Sequence, residues 1–186
     1  MAPTCRRDSK RPSFARRLLR AREGSTAVEF AFVALPFFML LFAILEIGLI
    51  LVLDAVVETA VTDTGRLVRT GQAQMEVVKV TKEDMLKKFC TQMSVFAGDC
   101  PSRAFMDVRV VNSFSNPLEE NDPMYSGAFE PGKTLFQPGN PGDRIMVRVW
   151  YEHPIITPFL AQALTKSDDG QVLLTTTMAF QNEPYQ

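Results

Sequence analysis

From residue 27 to residue 53 the chain is almost continuously apolar, and between Phe30 and Leu45 it carries no charged residue at all. Glu46 interrupts the run, and Ile47 to Leu53 resume it. About 20 apolar residues suffice to cross a bilayer as a helix, so the run predicts a transmembrane helix. It exceeds the roughly 7–15 apolar residues of an ordinary secretory signal, and no clean small-x-small cleavage site follows it. Pro36 lies inside the run, removes one backbone donor and is expected to kink the helix, a defect that membrane helices tolerate. Beyond Leu53 the pattern turns mixed, with Val56, Val57, Ala60 and Val61 set among Asp54, Glu58 and Asp63. This predicts that the helix leaves the membrane and continues along a globular head. Arg66 and Arg69 suit a helix C-terminus, and Gly71 supplies a stop. A helix over 27–70 would be about 65 Å long at the α-helical rise per residue.

The remaining pattern predicts a small α+β head. Met85, Leu86, Phe89, Met93 and Phe96 recur at helical spacing over 82–96, and Thr81 with Asp84 makes a capping box in front of them. Gly98 closes that helix. Three stretches alternate with period two: 105–111, 144–152 and 171–181. In the first, Met106, Val108 and Val110 oppose Asp107 and Arg109. In the second, Ile145, Val147, Val149 and Tyr151 oppose Met146, Arg148, Trp150 and Glu152. A three-stranded antiparallel sheet of this size needs a helix over one face, and the outer half of the long helix with the 82–96 helix can supply it. Residues 113–143, rich in Pro, Gly, Asn and Ser, predict a long loop of the functional or mobile kind. A short helix is expected around 159–164. The expected organisation is a basic leader (1–24), a transmembrane helix (25–53), its outer extension (54–71) and the α+β head (72–186).

Charge orients this arrangement. The 186 residues carry 20 basic and 21 acidic groups, but residues 1–23 hold eight Arg/Lys against Asp8 and Glu23, a net of +6. A basic flank beside an apolar run stays in the cytoplasm, so the head is expected on the far side. The tail has no folded basic module beside it, which favours topology and lipid contact over nucleic acid. The cysteines divide the same way. Cys5 lies in the tail, to stay reduced, whereas Cys90 and Cys100 lie in the exported part and predict a disulfide. The competing reading for the pair is a redox or metal site, but two sulfurs without a nearby histidine make a poor zinc centre.

Glu29 is the residue that most needs a reason. A charged side chain at the centre of a bilayer costs on the order of 2.5–3.5 kcal/mol, and Glu29 opens an apolar helix five residues after Gly24. The spacing of Gly24 and Glu29 resembles the class III signal of type IV pilins and pseudopilins. The longer string Gly24-Ser25-Thr26-Ala27-Val28-Glu29-Phe30, continuing to Pro36, resembles the TadE/TadG-like N-terminal module of the Tad (Flp) pilus system. Gly142-Asp143, the Val-rich strand after it, Pro154 to Pro158, and Asn182-Glu183-Pro184-Tyr185 are similar to the same family. The length resembles TadE or TadF proteins rather than the longer TadG proteins.

The resemblance implies a minor pilin or pseudopilin. A prepilin peptidase would cut between Gly24 and Ser25 on the cytoplasmic side. Glu29, with Phe30 beside it, would serve assembly and recognition, its carboxylate pairing with the new amine of a neighbouring subunit. The implied partners are the peptidase, other Tad pilins and pseudopilins, the inner-membrane assembly platform and the bilayer. The implied place is a bacterial inner membrane, single-pass, with a periplasmic head that can enter an extracellular pilus and serve adhesion and secretion. The alternative is an uncleaved bitopic scaffold of a secretion apparatus, in which Glu29 is a chance acid at the interface.

The other polar residues predict little chemistry. Glu46 reads as a protonated or snorkelling acid, or as a marker of the outer membrane boundary. Glu119-Glu120 and Asp168-Asp169 read as solvated turns, the latter with too few oxygens for calcium. His153 is the lone histidine and reads as structural. No Ser/His/Asp set or phosphate loop emerges, so neither an enzyme nor a cofactor or metal site is expected.

Overall fold

The computed structural model describes residues 25–75, 80–114, 121–164 and 170–184. The chain divides into two units, Met1–Ile44 and Leu45–Gln186. The first helix, α1 (Ser25–Arg69, 45 residues), begins in the former and ends in the latter.

In the first unit α1 exposes Phe30, Phe32, Val33, Leu35, Phe37 and Phe42. A helix apolar on every side with no protein cover is matched to a hydrocarbon environment, and α1 is long and apolar enough to cross a membrane. The helix runs through Pro36.

In the second unit the same helix becomes one-sided. Leu53, Val57, Ala60, Val61, Thr64 and Val68 are buried, at spacings of three and four, whereas Asp54, Glu58, Asp63 and Arg66 are exposed. Thr64 donates its buried hydroxyl to the Ala60 carbonyl at 2.7 Å, so burial leaves it satisfied. Gly71 ends the helical segment in the left-handed region (φ 76°), its N–H donating to the Val68 carbonyl at 3.1 Å. A four-residue helix, α2 (Gln72–Met75), follows.

The capping box forms as expected at α3 (Lys82–Gln92): Thr81 Oγ1 accepts from the Asp84 N–H, and Asp84 accepts from the Thr81 N–H at 3.1 Å. The α-helix stops four residues short of the expected 96. Ser94 takes a positive φ of 52°, and residues Ser94–Phe96 form a 3-10 turn instead. The turn reverses the chain, so that Cys100, the first residue of α4 (Cys100–Arg103), returns to Cys90. The Cys90–Cys100 disulfide joins them, with the Cα atoms 5.5 Å apart and both residues buried.

Strands β1 (Ala104–Val110) and β2 (Arg144–Pro154), helix α5 (Pro158–Leu164) and strand β3 (Gln171–Gln181) complete the fold. The sheet is antiparallel in the order β1-β2-β3, with Asp107 opposite Arg148 and Val147 opposite Met178. One face presents Met106, Val108, Ile145, Val147, Val149 and Phe180 to α1 and α3, and these form one core with Val57, Val61, Met85 and Phe89. Helix and sheet come close at Gly65, where an added Cβ would lie 2.7 Å from Met178 Sδ.

The opposite face departs from expectation. Asp107, Arg109, Met146, Arg148 and Trp150 alternate as a polar, solvent-facing set would, yet all five are buried. Residues 121–143, expected as a functional or mobile loop, cover them. Phe129 stacks on Trp150 at 4.8 Å and meets Phe105 edge-on at 5.3 Å. The same segment closes the outer edge of β1: the Val108 N–H donates to the Leu135 carbonyl, and the Gln137 N–H to the Val108 carbonyl, at 2.9 and 2.7 Å. The head is therefore three layers, helices on sheet on loop.

Candidate functional site

Gly24, Cys5 and the basic tail lie outside the described residues, as do Glu119-Glu120, Asp168-Asp169 and Tyr185. Ser25 lies in the first described turn of α1, and Glu29 and Phe30 are exposed one turn later. Positions four apart on a helix share a face, so Glu29 stands on the face of Ser25. Around Pro36 the exposed surface is aromatic, with Phe37 and Phe38 edge-on at 5.5 Å and Phe38 and Phe42 stacked at 6.3 Å.

Glu46 has a partner that its own neighbourhood does not reveal. The residue is buried, and its carboxylate accepts from two backbone N–H groups 110 and 111 positions away: Oε1 from Ile156, by a short hydrogen bond, and Oε2 from Thr157 at 2.9 Å. Pro154 and Pro158 bracket these donors. Proline disfavours helix in the residue before it, so Thr157 stays outside α5; the Ile155 N–H donates to the Gly170 carbonyl at 3.1 Å, and the Ile156 and Thr157 N–H groups go to the carboxylate. A snorkelling or isolated protonated acid is thus replaced by a carboxylate that ties α1 to the entry of α5. His153 lies in the same region. Burial pushes its imidazole below the ordinary histidine pKa, nearby Arg103 adds to this, and Glu46 opposes it.

The other C-terminal string quoted above meets the far end of α1. Glu183 donates its N–H to the Arg69 carbonyl at 3.0 Å and pairs its side chain with Arg69 at 3.2 Å. Asn182, buried, donates through Nδ2 to the Pro138 and Asn140 carbonyls, and exchanges backbone bonds with Gly142 and Asp143. The structure thus brings Gly142-Asp143 and Asn182-Glu183 together at the helix C-terminus.

Under the 121–143 cover lies a set of four charges to which the sequence analysis gave no role. Arg109 grips Asp107 with Nε and Nη2 at 2.7 and 2.8 Å. Arg148 Nη2 reaches Asp107 at 3.1 Å and also binds Asp122 by a short hydrogen bond, with Nη1 on Asp122 at 3.1 Å. Backbone donors complete the shell, Leu135 N–H on Asp107 and Met124 N–H on Asp122, each at 2.8 Å. The Arg148 guanidinium also lies 5.1 Å from the Trp150 ring centroid, a cation–π contact. Burial alone would raise the Asp122 carboxyl. The Arg148 hydrogen bond, the Met124 N–H and the two guanidinium charges outweigh it and hold the group below the ordinary aspartate value. Two carboxylates against two guanidiniums, each multiply bonded, make a neutral brace. The sequence signal for it was the alternation that puts Asp107 and Arg109, and Arg148, opposite the apolar positions of their strands; Asp122, in the loop, gave none.

Among the described residues no three His, Cys, Asp or Glu side chains converge on a point that would hold a metal. No curated protein and no solved structure matches the chain. One protein family does: residues 24–66 match the model described as TadE-like protein. The match begins at Gly24, crosses Glu29 and the whole apolar run, and ends on the packed part of α1; the C-terminal strings lie outside it. Over residues 24–66, then, the chain is similar to TadE-like proteins.

Proposed function

We propose that this chain is a minor pilin or pseudopilin subunit of the Tad pilus. A prepilin peptidase cuts it between Gly24 and Ser25, and the mature helix then takes part in pilus assembly, surface adhesion and secretion. The observation that carries this reading is that the TadE-like match starts at Gly24 and includes Glu29. Cleavage removes the +6 tail, the block that resists translocation, and creates an amine at Ser25. In the low dielectric between packed helices, an amine and a carboxylate attract far more strongly than in water, so Glu29 has a use once a neighbouring subunit brings its Ser25 amine close. In this reading the head lies in the periplasm, the partners are other Tad pilins and the inner-membrane platform, and the chain is a substrate of proteolysis rather than an enzyme.

N-terminal sequencing of the membrane-extracted protein tests the cut: the mature chain should begin at Ser25, and a chain beginning at Met1 or Ala2 supports the uncleaved scaffold instead. Gly24→Ala should abolish processing. Glu29→Ala should be processed normally and fail in assembly, so normal piliation with Glu29→Ala would sink the charge pairing.

A further inference from the structure

The stretch Pro154-Ile155-Ile156-Thr157-Pro158-Phe159-Leu160 and the rest of α5 contain no charged residue through Leu164. Leu160 turns inward and is buried, whereas Ile156 is 85% exposed and Phe159 70%. Large apolar side chains this bare, three positions apart in a stretch without a charged residue, mark a surface that meets something other than water. Within the second unit the Glu46 carboxylate attaches this segment to α1 through the Ile156 and Thr157 N–H groups. The helix surface around that attachment is also apolar and exposed: Leu45, Ile47, Leu49, Leu51 and Val52. The two surfaces are therefore continuous and lie at the same level along α1.

We propose that residues 155–164 form a membrane-surface anchor, in which Ile156 and Phe159 enter the outer edge of the bilayer that α1 crosses and Glu46 holds the segment at that depth. The occupant is lipid, not a protein, because the patch adjoins Leu45, Ile47 and Leu49, exposed apolar residues of a helix long and apolar enough to cross a membrane. An element with apolar side chains on one side and polar tethers on the other lies in the interface rather than across it. Glu46 is suited to that level: its charge is met by two N–H donors, which lets a carboxylate sit at the edge of hydrocarbon where a bare one would be expelled. This proposal rests on the membrane-spanning reading of α1.

The test uses the full chain, with Cys5→Ser, reconstituted in phosphatidylcholine vesicles. Nitroxide labels are placed at Ile156→Cys, Phe159→Cys, Leu40→Cys and Val95→Cys, Val95 being an exposed head position. Collision rates with oxygen, which favours lipid, and with a water-soluble nickel chelate then report depth. Labels at 156 and 159 should show an oxygen-to-nickel ratio between that of Leu40 and that of Val95, and Glu46→Ala should shift both toward Val95. A ratio at 156 and 159 equal to that of Val95, with Leu40 in lipid, overturns the anchor and leaves the span intact. Labels shielded from both reagents also overturn it and point to a protein partner. Leu40 exposed to nickel overturns the span and the anchor together. In the unsubstituted chain, a photoactivatable phosphatidylcholine carrying its reactive group near the glycerol should label peptide 155–164 more than peptide 94–103; equal labelling argues against the anchor without relying on any variant.

Discussion

Four charged side chains with almost no contact with water make the head sensitive to single substitutions. Removing one member of a buried ion pair leaves its partner uncompensated and costs about 3–5 kcal/mol. Asp122→Asn should therefore lower the unfolding free energy of the detergent-solubilised chain by about that much, read from denaturant titration. Asp122→Asn combined with Arg148→Met should recover part of the loss, since both ends of one pair are then neutral. The pH dependence follows from the depressed Asp122 carboxyl. The unfolded chain takes up the proton first, so the stabilisation is complete above the unfolded pKa of about 3.9 and is lost as pH falls through the lower folded value. The acid limb of a stability–pH curve should be shallower in Asp122→Asn. Gly65 gives a contrasting case. An Ala Cβ would press only on the flexible thioether of Met178, and Ala gains about 1 kcal/mol of helix propensity over Gly. Gly65→Ala should thus be near neutral, while Gly65→Leu, overpacking the helix–sheet contact, should cost about 1–3 kcal/mol in the same titration.

At the scale of elements, α1 is one helix with two kinds of surface. Its first turns are apolar all round, and its last turns bury one stripe against the sheet. Nothing in the backbone distinguishes these parts; the placement of Asp54, Glu58 and Asp63 on the exposed side does. The α3–α4 corner depends on a different device. Its α-helix ends at Gln92, Ser94 adopts a left-handed conformation, and the disulfide ties the two ends of the reversal. Cross-linking so short a loop restricts the unfolded chain by about 2–4 kcal/mol. Replacing Cys90 and Cys100 together by Ser should lower stability by that amount, and reduction of the parent protein should do the same. Non-reducing peptide mapping should recover the linked peptides, with Cys5 free.

For the molecule as a whole, the C-terminal third fastens the packed half of α1 at both ends. The 156–157 backbone binds Glu46, and Asn182-Glu183 binds the Arg69 end while holding Gly142-Asp143. These contacts lie within one compact unit, Leu45–Gln186. Under the proposed cut after Gly24, Glu46→Ala should leave processing unchanged, since Glu46 lies 22 positions further along the chain. It should also raise proteolytic susceptibility around 155–164, which limited digestion followed by mass spectrometry would detect.

The sequence by itself determined what depends on nearest neighbours. An apolar run longer than the hydrocarbon thickness predicts a span because backbone polar groups in lipid must be satisfied within the segment. The Thr81–Asp84 cap, the three strands and the stop at Gly71 follow from hydrogen bonds and periodicities that reach only a few residues. Tertiary structure decided whatever depends on cover. Period-two alternation records that a strand has two faces, and it placed Asp107, Arg109 and Arg148 on the outer one correctly. Whether that face meets water depends on residues 121–143, whose packing leaves no periodic trace. Glu46 shows the same limit, since its donors lie 110 positions away. A buried charge is tolerated only where partners converge on it, and convergence from distant segments belongs to the folded chain rather than to any local stretch of it.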